Sequence, residues 1–223
     1  MEQLDSRVRA ICDLNVAEAR EYGGRHEYDG VPQDLSPDGV AAGLSRLASA
    51  RESGPARQDP HDEAHLRAFE ELQRVVYGDL ELHRRNPMYH LGELDLACYD
   101  KDYAPEAERH AARAAHLAAW PAVIDAAVAS LDAIPAPIAD SLLGAVRGLA
   151  AGIPADADPG AREAALAAHT RLVAHVQRAA ESGPADAALG PDALTALLSS
   201  AEAVEVDLTA LAARADAERD RLM

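Results

Sequence analysis

Two short stretches bring together side chains able to do chemistry. HDEAH, residues 61–65, sets His61 and His65 one helical turn apart, the spacing at which two imidazoles can grip one metal ion. A metallopeptidase helix needs glutamate directly after the first histidine as general base; here that position is Asp62, a methylene shorter, and Glu63 falls elsewhere on the helix. The residue types fit a polar first turn after Asp59-Pro60, where acids complement the helix dipole. The expectation is therefore no metal centre, with His61 and His65 as the candidate ligands to check. HRRNPMYH, residues 83–90, is the second stretch. Arg85, Asn86, Tyr89 and His90 have the types that clamp a carboxylate or line a substrate groove. The same types also suit a corner, with cations closing one helix and Asn-Pro opening the next.

Other polar residues narrow the choices. His110 with His116, and His169 with His175, stand six residues apart, which turns the members of each pair well away from one another around a straight helix. They read as surface or packing histidines. The sequence contains no Glu-x-x-His, which removes a ferritin-like di-metal site, and it has no phosphate loop, Gly-x-Ser-x-Gly elbow or dinucleotide fingerprint. Asn15 falls within the apolar stripe of the first helical pattern, where a buried amide must find partners; tying the helix to a neighbouring loop is the expected role, and ligand binding the alternative.

Helices must position these groups. Leu4, Val8, Ile11, Cys12, Asn15, Ala19 and Tyr22 follow a 3.6-residue period that Gly23-Gly24 closes. Ser36-Pro37, Asp59-Pro60, Asn86-Pro87 and Asp158-Pro159 each pair a capping side chain with a proline suited to a first turn. ESGPA occurs at 52–56 and 181–185 as helix-ending punctuation. Helical patterns then cover about 60–84, 87–100, 104–132, 136–152, 159–182 and 191–222, with a bend expected at Pro121. The reading is an all-α bundle of seven to eight helices in a single domain over 1–223. In the last pattern Leu194, Leu197, Leu198, Ala201, Val204, Leu208 and Leu211 form one stripe with no later element to cover it, which points to a helical partner or a missing C-terminal domain.

Composition agrees. The chain is 48% apolar, alanine is its commonest residue, and Trp120 and Phe69 are its only tryptophan and phenylalanine, so the core must come from Ala, Leu and Val at close helix contacts. A formal charge of −17, with Lys101 the only lysine, argues against nucleic-acid and membrane-surface partners. No stretch approaches a bilayer span or a leader, and Cys12 and Cys98 sit in apolar surroundings, so a reduced cytoplasm is expected.

Residues Asn15, Tyr22-Gly23-Gly24, Gly30-Val31-Pro32, Leu35-Ser36-Pro37, Arg85-Asn86-Pro87-Met88-Tyr89, Tyr103-Ala104-Pro105 and the 117–131 stretch around Trp120-Pro121 together resemble the N-terminal half of the bacterial domain of unknown function 885 family. The resemblance implies an all-helical region flanking the substrate cleft of a zinc metallopeptidase-like protein. The family's His-Glu-Gly-x-Pro-Gly-His-His type motif has no counterpart in these 223 residues, so zinc is expected only with a C-terminal half. Three functions follow as expectations: a scaffold and binding region for a small molecule or peptide, not hydrolytic alone; a stand-alone enzyme with a metal-free pocket at the 83–90 corner; or a subunit that docks a partner through its last helix.

Overall fold

The computed structural model describes residues 4–223, and among them every regular element is helical. There are eleven α-helices, more than the seven to eight read from periodicity: α1 (Ser6–Cys12), α2 (Val16–Glu21), α3 (Pro37–Ser53), α4 (Pro60–Gln73), α5 (Leu82–Arg85), α6 (Met88–Gly92), α7 (Glu106–Ser130), α8 (Ala136–Gly148), α9 (Pro159–Ser182), α10 (Pro191–Glu202) and α11 (Leu208–Leu222). No helix is long and apolar enough to cross a membrane among the described residues.

The additional helices arise where a single periodic pattern is cut by local chemistry. The first pattern divides at Asp13–Asn15, and the Asn15 side-chain amide donates to the Ile11 carbonyl at 2.9 Å, closing α1. The 60–84 pattern divides because Arg74–Asp79 widens into a π turn, with the Leu80 amide reaching the Val75 carbonyl at 2.8 Å, and Glu81 then takes a left-handed conformation with φ of 44°. The 191–222 pattern divides after Glu202, where Ala203 adopts φ of 54°. The continuous stripe expected there is thereby broken: α10 packs on α4, whereas α11 buries none of its residues.

Most punctuation acts as its chemistry suggests. Ser36 accepts from the Gly39 amide, Asp59 from His61 and Asp62, and Asp158 from Ala161, while Asn86 accepts from Met88 at 3.0 Å. Gly54 and Gly183 end α3 and α9. Helix α7 runs unbroken through Pro121.

Two larger clusters of buried apolar residues form most of the core, beside a small third one of Val16, Ala19 and Tyr28. In the first, α7 and α8 pack along α9, with Trp120, Ile124, Ala127, Ala139, Val146, Ala165, Ala168 and Val176 fully enclosed, and Leu94, Leu96 and Tyr99 join them from the segment after α6. The four alanines let the helix backbones approach closely, as the aromatic-poor composition requires. The second joins α1, α3 and the π turn through Ala10, Leu14, Val40, Leu47, Val76 and Tyr77.

Candidate functional site

A cavity of about 700 Å³ is a groove between α3 and α4. Its apolar side is Leu44, Leu47 and Ala48 of α3, and its polar side is one face of α4, where Glu63, Arg67 and Glu70 recur every three or four residues. At its base Arg7 of α1 is inserted with only 3% of its side chain exposed. Its Nε and Nη2 donate to the two oxygens of buried Glu70 at 2.7 and 2.9 Å, a bidentate fork, and Nη1 donates to Glu63 at 2.9 Å. Gly54 makes this insertion possible: a Cβ there would stand 2.6 Å from Arg7 Cγ. The glycine that ends α3 therefore also admits the arginine stem.

Charge in the groove is organised around that fork. Arg7, by donating to it, holds the Glu63 carboxyl down to about 2, helped by the Arg57 amide and by Arg67, whose Nε donates to it at 2.7 Å. The same contacts, with Glu70 foremost, push the Arg7 guanidinium above its ordinary range. Arg51 and Arg74 share Glu71, which they hold below the usual carboxylate range, Arg74 contributing more. The groove is lined by four arginines, Arg7, Arg51, Arg67 and Arg74, against three glutamates. With Glu71, which Arg51 and Arg74 share, its charges are close to balanced on a chain of net charge −17. Sequence reading missed it because its residues come from three helices; the visible signal was the Glu63, Arg67, Glu70 spacing.

The residues singled out at the 83–90 corner are brought near one another but are mostly engaged in structure. His90 is buried in α6 and its Nε2 donates to the His83 carbonyl at 2.8 Å, closing α5 against α6. Burial pushes the His90 imidazole down to about 4. Tyr89 meets Tyr77 edge to face at 5.8 Å, and its phenol is raised by burial. Asn86 caps Met88, and Arg85 is half-buried with no hydrogen bond or ion pair among the described residues. Asn15 is occupied with Ile11. The neighbouring cavity of about 300 Å³ is lined by Val40, Tyr77, His83, Arg84, Ser130 and Asp132 among others, and not by Arg85, Asn86, Tyr89 or His90. His83 Nδ1 and Ser130 Oγ are buried without hydrogen-bond partners, so the two are not bonded to each other.

A third polar cluster lies inside the protein. Glu93, 2% exposed, accepts the Ala17 amide at 3.1 Å and the Gln33 amide at 2.7 Å. His116 Nε2 donates to the Glu93 carbonyl at 2.8 Å, which leaves Nδ1 to accept from the Tyr99 hydroxyl at 3.0 Å, and that hydroxyl accepts the Gly30 amide. Burial pushes His116 down to about 4 and raises the Glu93 carboxyl. Arg20, also buried, lies over the Tyr99 ring at 5.9 Å, none of its nitrogens meeting an acceptor in hydrogen-bond geometry. The cluster fastens the 25–35 loop to the core. An acid within the apolar run Leu91–Leu96 was its sequence signal.

His61 and His65 are exposed on α4 with their Nε2 atoms 3.1 Å apart. No group of three or more His, Cys, Asp or Glu side chains converges among the described residues, so the donors present do not fit a closed zinc centre. Comparison of the chain with protein families, curated proteins and solved structures gives no match.

Proposed function

We propose that this chain is a helical binding module whose α3–α4 groove holds the carboxylate of a peptide or of a small amphipathic acid. The observation that carries the reading is the groove itself: an apolar wall faces a wall that gathers four arginines, on a chain of net charge −17. Arg7 is consumed by Glu63 and Glu70 and serves as foundation, while Arg51 and Arg67, both exposed, retain donors for a ligand. The resemblance to the front half of a metallopeptidase-like family supports the same reading, since such a region would flank a substrate cleft and leave hydrolysis to residues outside this sequence.

The test is a titration of the purified chain with short apolar peptides carrying either a free or an amidated C-terminus, followed by amide chemical shifts. Saturable shifts at Leu47, Arg51 and Arg67 with the free acid, weakened on the order of tenfold by amidation or by Arg67→Ala, are expected, that factor being about 1.4 kcal/mol. Equal binding of both peptides, or shifts confined elsewhere, would reject the groove. Peptide cleavage by the metal-free chain would reject a purely binding role.

A second reading, a small enzyme at the corner, draws on the buried, unpartnered His83 Nδ1 and Ser130 Oγ beside the 300 Å³ cavity. Turnover abolished by Ser130→Ala would favour it over the groove.

A further inference from the structure

The first turns of α4 present His61 and His65 to solvent as a preformed pair. Their rings stand edge to face, 4.4 Å between centroids and 83° between planes, with Nε2 to Nε2 at 3.1 Å. Spacing by four residues stacks the two on one face of the helix, and α4 is fixed there by the Asp59 cap and by Leu66 in the core. Each imidazole has only the other as a polar partner among the described residues. Of the other histidines, His90, His116, His169 and His175 each give Nε2 to a backbone carbonyl, His26 stacks on Tyr103, His110 approaches Glu106, and His83 is buried away from solvent.

We propose that His61 and His65 form a two-imidazole site for Cu(II) or Ni(II). Metal–imidazole bonds of about 2.0–2.1 Å spanning 3.1 Å enclose an angle of roughly 95–100° at the metal, close to the right angle of square-planar and octahedral coordination. The rings touch nitrogen to nitrogen, so both must turn slightly for their lone pairs to converge, which exposure allows. The positive end of the helix opposes a cation here, and Asp59 and Asp62 in the cap and first turn offset it. Water fills the remaining coordination positions.

The experiment is titration of the full chain with CuSO4, read by electron paramagnetic resonance, and with NiCl2, read by calorimetry, for wild type, His61→Ala, His65→Ala and the double variant. Expected are one metal per chain, a copper spectrum split by two imidazole nitrogens, and affinity weakened on the order of a hundredfold in either single variant as two linked binding events become one. Both residues are exposed, so circular dichroism should report unchanged helix content in every variant. Failure of wild type to bind, or equal binding by the double variant through the α-amino group or another histidine, overturns the site.

Discussion

The carboxylate of Glu93 accepts the backbone amide of Gln33 at 2.7 Å, joining positions 60 residues apart in the chain. Its other oxygen takes the Ala17 amide, so one buried acid holds α2 and the 25–35 loop against the end of α6. Glu93→Gln keeps the shape but turns one acceptor into a donor that faces an amide N–H. Because the orphaned group cannot reach water, the substitution should cost about 2 kcal/mol, measured by urea denaturation, with a larger loss for Glu93→Ala, which leaves both amides unpaired.

Acid sensitivity should come from His90 and His116. Both are neutral in the fold, pushed down to about 4 by burial, whereas an unfolded imidazole titrates near 6.5. The folded pKa is depressed, so the unfolded chain binds the extra protons. Stability is complete above about pH 6.5 and falls as the pH drops from there toward 4, each histidine contributing a slope of up to about 1.4 kcal/mol per pH unit. Glu93, whose pKa is raised, works in the opposite direction as it takes up a proton. Denaturation curves at pH 7.5, 6.5 and 5.5 should show the decline, and His116→Gln should make it shallower, leaving the shares of His90 and of His83, whose imidazole burial also lowers.

These two cases show what the sequence makes legible. Ser36-Pro37 and Asp59-Pro60 announce their helices because a cap and its helix are neighbours in the chain. The α3–α4 groove is not announced, because Arg7 reaches Glu70 across 63 positions and no local pattern encodes that distance. Asn15 lies on a continuous apolar period that suggests an amide tying one helix to a neighbouring loop; its side chain instead competes with the backbone for the Ile11 carbonyl and closes α1. The π turn at Arg74–Asp79 escaped for a related reason: it keeps Val75, Val76 and Tyr77 buried while shifting the phase of the helix, so hydrophobicity alone looks continuous. At the corner, residue types fixed the turn, but which polar atoms stayed free depended on partners such as the His83 carbonyl.

The insertion of Arg7 is open to a direct check. Arg7→Met removes the fork and leaves Glu70, 1% exposed, as a buried carboxylate whose remaining cation is Arg51 at 3.8 Å, which should cost about 3 kcal/mol. Pairing it with Glu70→Leu should recover most of that loss, because an apolar pair of similar volume avoids the desolvation of both charges. A double-mutant cycle in urea measures the coupling; additivity of the two single changes would show that the fork contributes nothing.

Gly54→Ala attacks the same contact from the backbone side. The new Cβ would stand 2.5 Å from the Ala50 carbonyl oxygen and 2.6 Å from Arg7 Cγ. Relief requires the end of α3 to shift, since the carbonyl belongs to the helix itself. The fold should weaken by about 1–3 kcal/mol, the usual range for overpacking, and the groove signals of Arg51 and Arg67 should move in the variant's amide spectrum.

Helix α11 provides the contrasting case. Its Asp207 cap accepts from Thr209 and Ala210, and Arg219 and Arg221 pair with Asp216, Asp220 and Glu218 within the helix, yet no residue of it is buried. Leu211 and Leu222 are half or more exposed. A 15-residue helix with only local pairs is marginal in water, so α11 should exchange its amides far faster than α7 or α9. Ending the chain at Glu202 should lower the melting temperature by less than about 2 °C, because almost no apolar surface returns to water. A larger drop would mean that α11 packs on the body of the protein in solution, and hydrogen exchange would then show protection along Leu208, Leu211 and Ala215.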